Sequence, residues 1–152
     1  MRSGALRAVL AAAVATAATA ALAPHAVAAP GCRVEPSPAD ESSIARMING
    51  IRSAKGIRKV EHDDDIRLAG RRWSLRMART GAFEHTGLEW AGGRPAGENI
   101  AMAPTARRAF QLQLDSPPHR RNLLKRAWRS VGVGVAARCD GMLFVTVNLT
   151  TP

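Results

Sequence analysis

Tyrosine is absent from this 152-residue chain, and phenylalanine and tryptophan occur only three times each. So few aromatics leave no platform on which the bases of a single-stranded nucleic acid could stack, and no recognised nucleic-acid motif takes its place. Beyond residue 28 no apolar run approaches the ~20 residues needed to cross a bilayer, which excludes an integral membrane protein. Acidic residues are scarce, 12 against 22 Lys and Arg, giving a formal charge of +10. Two cysteines, Cys32 and Cys139, without suitable companions make a poor zinc ribbon. No internal repeat is present, and the only low-complexity stretch is the Ala-rich start.

That start reads as a secretory signal peptide, residues 1–28. Arg2 and Arg7 precede an apolar run over residues 8–23, and Ala26-Val27-Ala28 supplies small residues for cleavage. Cleavage after Ala28 removes two of the 22 basic residues and none of the 12 acidic ones, leaving +8 on 124 residues. The mature chain is expected to be a short N-terminal loop, residues 29–36, and one domain, residues 37–152, with enough apolar residues for a single core. In an exported chain an even pair of cysteines is most simply a disulfide, here across 107 positions; on the loop-entropy model it contributes at most ~4.7 kcal/mol. The alternative is a lipoprotein acylated at Cys32, for which Ala29-Pro30-Gly31 is a poor preceding sequence.

Two helices are plainly marked. Ser37-Pro38 suits an N-cap and first helical position, with Asp40 and Glu41 in the first turn, where the helix dipole favours anions. Ile44, Met47, Ile48 and Ile51 then form one apolar stripe, ended by Lys55-Gly56. Asp63-Asp64-Asp65 caps a second helix with Ile66, Ala69, Trp73 and Met77 on one face, most of its arginines on the others, and Gly81 as its stop. Residues 81–104 read as one long loop of Gly, Pro, His and Glu, and such loops are more often functional than idle. A helix is expected over residues 105–114, and Ser116-Pro117 restarts a short helical turn. The end is β. Val131, Val133 and Val135 alternate with Gly132 and Gly134, a strand with one bare face that lets another layer approach closely. Asp140-Gly141 signals a two-residue hairpin, and the returning strand puts Leu143, Val145, Val147 and Leu149 on one face. Helices first and an antiparallel hairpin last predict an α+β layered domain.

Three histidines remain after processing. His62, in a charged stretch before a helix, reads as surface. His85 and His119 lie in Phe83-Glu84-His85-Thr86 and in Ser116-Pro117-Pro118-His119-Arg120-Arg121-Asn122-Leu123-Leu124, with Gly97-Glu98-Asn99-Ile100-Ala101 between them. These segments, followed by Val131-Gly132-Val133-Gly134-Val135, resemble the CAP superfamily (cysteine-rich secretory, antigen 5 and pathogenesis-related proteins). More closely, they resemble its short bacterial SCP-like extracellular members. The resemblance runs from about Ser37 to Thr150. It implies an α-β-α sandwich with a central antiparallel sheet. It also implies a cleft in which His85, Glu98 and His119 converge, in a family known for binding sterols, lipids or divalent metal. In many relatives a second glutamate completes a His-Glu-Glu-His tetrad. By spacing its place is held here by Ser116, that of a common tryptophan by Gln113, and that of a strand-ending aromatic by Leu149.

On chemistry alone, two imidazoles and a carboxylate suit Zn²⁺ or another divalent cation with an open fourth position, although no His-Glu-x-x-His pattern is present. The plainer alternative is that the trio orders the long loop, with Glu98 accepting from backbone N–H groups and Asn99 bracing the turn after Gly97. Ser116 beside His119 suggests a nucleophile–base pair but reads better as an N-cap. The expected function is therefore binding rather than catalysis. The protein would be a secreted, monomeric chain whose cleft of His85, Glu98, Asn99, Ser116 and His119 takes a small lipid-like or anionic ligand, with or without a metal on His85, Glu98 and His119. The first alternative is a metal-dependent hydrolase of envelope peptide or ester bonds with Glu98 as general base. The second is a basic adhesin for anionic cell-envelope polymers with a vestigial cleft.

Overall fold

The computed structural model describes residues 31–152; the expected signal peptide lies outside the described residues. Helix α1 spans Pro38–Ala54 and α2 Asp64–Thr80. Asp63 caps α2, accepting from the N–H groups of Asp65 and Ile66, and Gly81 closes it in the left-handed conformation. Ser37 makes no such side-chain cap on α1. Its hydroxyl donates to Asp40 (2.6 Å) instead, and its N–H to the Val135 carbonyl.

Five strands form one sheet: β1 (Val34–Pro36), β2 (Glu61–His62), β3 (Ala96–Ala103), β4 (Ser130–Arg138) and β5 (Leu143–Thr150). The order is β1-β4-β5-β3, all antiparallel, with the two-residue β2 pairing parallel to β4. Helices α1, α3 (Ala106–Asp115) and α4 (Pro117–Leu123) cover one face and α2 the other, giving an α-β-α sandwich. The larger core joins Ile44, Ile48, Phe110 and Leu123 to the alternating valines and leucines of β4 and β5; the smaller joins Met77 and Ala78 to Ile100, Ala136 and Phe144.

Four expectations are corrected. Residues 34–36 are not loop but a strand on β4. The long loop over 81–104 is interrupted by a 3-10 turn at Glu89–Ala91 and by β3, whose strand character comes from pairing with β5 along all eight residues. The buried face of α2 is Ile66, Gly70, Ser74, Met77 and Ala78, with Ala69 and Trp73 only half-buried. The cause is the bare face of β4: a Cβ on Gly132 or Gly134 would collide with the α2 backbone at residues 66–67 and 70–71, so small residues line the contact. The Asp140-Gly141 hairpin has three loop residues, Cys139, Asp140 and Gly141. Arg138 pairs with Met142, its carbonyl accepts from the Gly141 N–H, and Gly141 takes φ +83°.

Cys32 and Cys139 form the disulfide, tying the lead-in of β1 to this hairpin. Cys32 therefore has no free thiol to acylate, and the lipoprotein alternative falls. Two buried charges fix the helices. Glu41 accepts from Nε (2.7 Å) and Nη2 of Arg71 and from the N–H of Val135, joining α1, α2 and β4; that hydrogen bond raises the Arg71 pKa. Arg52, wholly buried, donates to the carbonyls of Arg58, Leu123 and Lys125 and so ties α1 to the end of α4. Burial, and then the charge of Arg129, push its pKa down.

Candidate functional site

The site is organised by two adjacent residues of an edge strand. Successive side chains on β3 point to opposite faces of the sheet, so Glu98 and Asn99 serve different layers. Glu98 meets the loop after α2: its Oε1 accepts from His85 Nδ1 (2.8 Å) and from the N–H of Thr86 (2.9 Å). The Glu98 side chain is 2% exposed and that of His85 53%. Asn99 meets α3 and α4, donating to Gln113 Oε1 (3.1 Å) and to the His119 carbonyl (3.0 Å) and accepting from Asn122 Nδ2 (2.9 Å). It is buried within β3 and braces two helices, not a turn after Gly97. Gly97 is where Asn122 packs, because a Cβ there would strike the asparagine side chain.

A helix of seven residues opening with Pro117-Pro118 has little stability of its own. Three side chains hold α4 through its carbonyls: Asn99 at His119, Trp128 Nε1 at Asn122 (2.8 Å) and Arg52 at Leu123 (2.8 Å). His119 is its third residue, and Ser116 occupies the N-cap position without a side-chain cap bond. The two histidines, one from each layer, meet across the sheet edge with ring centroids 6.4 Å apart. Burial first, and then the charge of His85, lower the His119 pKa from its ordinary 6.5, so the ring is neutral at neutral pH. His62 is exposed on β2, away from this edge.

Beside His119 a cleft of about 300 Å³ opens, lined by Phe83, Ile100, Met102, Leu112, Gln113 and Ser116 among others. Three large hydrophobic side chains are exposed among the described residues, and two of them, Phe83 (38%) and Met102 (41%), line this cleft. Gln113 is 1% exposed and its Nε2 has no partner. The motifs in the sequence single out the histidines, Glu98, Asn99 and Ser116 but not Thr86, Asn122, Phe83 or Met102. Phe83, Thr86 and Asn122 stand inside the same motif segments; Met102 lies just past one, on a strand that its sequence does not announce.

As a metal site the arrangement is short of ligands. Glu98 Oε1 is engaged by His85 Nδ1, which makes Glu98 the residue that orients the ring and leaves Nε2 as the ring's free nitrogen. Two imidazoles remain, together with Glu98 Oε2, which is buried and has no hydrogen-bond partner. With zinc–nitrogen bonds of about 2.1 Å, their rings would have to close by about 1 Å to share an ion at a tetrahedral angle. Among the described residues no three of His, Cys, Asp and Glu form a metal-holding group. As placed, His85, Glu98 and His119 are not gathered around one point, and a three-ligand zinc site would require Glu98 and both rings to move.

The sequence model of the cysteine-rich secretory protein family, CAP, matches residues 45–149. Three solved structures share the fold. An outer surface protein from Borrelia burgdorferi is 14% identical with a TM-score of 0.70, over 78% of this chain and 98% of that one. An extracellular protein containing an SCP domain from Bacillus anthracis is 26% identical with a TM-score of 0.67, over 75% and 41%. A cysteine-rich secretory protein from Staphylococcus aureus is 15% identical with a TM-score of 0.61, over 76% and 39%. The match thus spans well under half of the latter two proteins. No curated protein sequence matches the chain.

Proposed function

The chain belongs to the cysteine-rich secretory protein (CAP) family, and we propose that its His119 cleft binds a single-chain amphiphile, an apolar tail with an acceptor-bearing anionic head. The carrying observation is the pairing of exposed apolar walls with one unsatisfied donor. Exposing Phe83 and Met102 to water is unfavourable unless something covers them. A buried amide N–H without a partner, as at Gln113, costs free energy that a ligand oxygen would recover. His119 is neutral at neutral pH and supplies a second polar contact without a fixed charge. The ligand is held, not turned over. Glu98, with Oε1 taken by His85 and Thr86 and Oε2 buried, does not line the cleft, and Ser116 lines it as an N-cap residue with no base hydrogen-bonded to it.

The proposal includes export. The residue 1–28 pattern, the Cys32–Cys139 disulfide and the extracellular and outer-surface relatives support it. Titration with dansyl-labelled undecanoic acid tests the site. Saturable binding should weaken by about tenfold or more in Phe83→Ala, Gln113→Leu and His119→Ala; equal affinity across the four proteins would sink the proposal.

A second reading, attachment to an anionic envelope polymer, is supported by a separate observation. Arg107, Arg108, Arg121, Lys125 and Arg126 are exposed, and none is ion-paired with a carboxylate among the described residues. Wall binding by this route falls with salt and survives His119→Ala.

A further inference from the structure

Next to the histidine cleft, and sharing no lining residue with it, lies a second hollow of about 310 Å³ on the α2 side of the sheet. Trp73, Trp90, Arg72, Arg76, Glu89 and Thr86 line it. We propose that it is a glycan subsite, taking one neutral pyranose unit of a polysaccharide.

Both indoles are fixed before any ligand arrives. Trp90 Nε1 donates to Thr86 Oγ1 (3.0 Å) and Trp73 Nε1 to the Glu84 carbonyl (2.8 Å). Arg76 stands 4.4 Å over the Trp73 ring and bonds Glu84 at 3.0 Å, locking that wall. Rigid aromatic walls lose little conformational entropy on binding. The loop between the tryptophans is strained. Leu88, at φ 65°, is the only non-glycine residue with positive φ among the described residues, and it starts the 3-10 turn that carries Glu89 and Trp90. Strain of this kind concentrates at ligand sites because the surrounding contacts must hold it.

The charges of the hollow select the ligand. The side chains of Arg72 and Glu89 have no hydrogen-bond or ion-pair partner among the described residues, and both line the same space. Arg76 is paired with Glu84, so the unpaired Arg72 and Glu89 leave the hollow without net charge, and an anion or a cation gains from one of them what it loses to the other. A wholly apolar ligand would strip water from both unpaired groups without replacing it. A neutral ring with hydroxyls around its edge and C–H bonds on its face satisfies all three conditions. The hydroxyls donate to Glu89 and accept from Arg72, and the C–H face lies on an indole.

The test is tryptophan fluorescence of the mature chain titrated with a β-1,4-linked N-acetylglucosamine tetramer. Trp128 is buried in the core, so the response reports Trp73 and Trp90. The expected result is a saturable change whose midpoint is about tenfold weaker in Trp90→Ala and about three- to tenfold weaker in Arg72→Ala and Glu89→Gln, each of which loses one hydrogen-bonding partner. Excess undecanoic acid should leave the titration unmoved. Arg72 and Glu89 are exposed, so their variants decide the matter even where Trp90→Ala fails to fold. No saturable change, wild-type midpoints in both surface variants, or displacement by the fatty acid would each overturn the proposal.

Discussion

The buried carboxylate of Glu98 accepts the Nδ1 hydrogen of His85 at 2.8 Å, so a residue of an edge strand fixes the ring of a half-exposed loop histidine thirteen positions earlier. The same oxygen takes the N–H of Thr86, and the Thr86 hydroxyl takes Trp90 Nε1. One carboxylate thus anchors the loop between α2 and β3 at His85 and Thr86. Glu98→Ala should cost about 1–3 kcal/mol, the penalty for orphaning its donors. It should also raise amide exchange at Thr86 far more than at Val133 in the core. Unchanged protection at Thr86 would show that the loop is held by other contacts.

That anchor was only half legible in the sequence. The helix ends were readable because capping is local: Asp63 and Gly81 act on the backbone within a few residues of themselves. The β4–β5 hairpin is readable because alternation of Val with Gly, and of Leu and Val with Phe144, Thr146 and Asn148, records two faces. Strand β3 was not, since Gly97, Glu98 and Asn99 look like a loop and only pairing with β5 makes them extended. With the strand hidden, so was its consequence, that Glu98 and Asn99 point to opposite layers. The α2 face was misread for a related reason. Gly70 and Ser74 are buried by the close approach of β4, which hydrophobic periodicity does not register.

The close approach predicts opposite outcomes for two glycine substitutions. A Cβ at Gly134 meets helix backbone, which cannot move aside as a side chain can, so Gly134→Ala should cost about 1–3 kcal/mol or more. Gly50, exposed in the interior of α1 with nothing within 4 Å of an added Cβ, should gain about 0.5–1 kcal/mol on replacement by Ala. Urea unfolding of both variants checks the pair, and a neutral Gly134→Ala would contradict the packing described for α2 and β4.

Zinc affinity separates two roles for Glu98. If the carboxylate only orients His85, two imidazoles are left as ligands, and calorimetry should give binding weaker than micromolar that disappears in His85→Ala/His119→Ala. Micromolar or tighter binding, lost also in Glu98→Gln, would mean that Glu98 turns from His85 to the ion.

The lowered pKa of His119 has a definite sign in stability. Burial and the nearby His85 favour the neutral ring in the folded state, whereas the unfolded chain protonates near the ordinary 6.5. Between the two values the unfolded state binds more protons, so stability is fully present above about pH 6.5 and is lost as the pH falls through the folded value. His119→Asn removes the titration and keeps a polar side chain. Wild type should therefore lose stability relative to His119→Asn on going from about pH 7.5 to about pH 5, measured as the difference in urea midpoint. Introducing His85→Ala should shrink that difference without abolishing it, because the charge of His85 is the smaller of the two causes. A difference that stays flat across the range would mean that His119 is as well solvated folded as unfolded, and the cleft would lose its neutral imidazole.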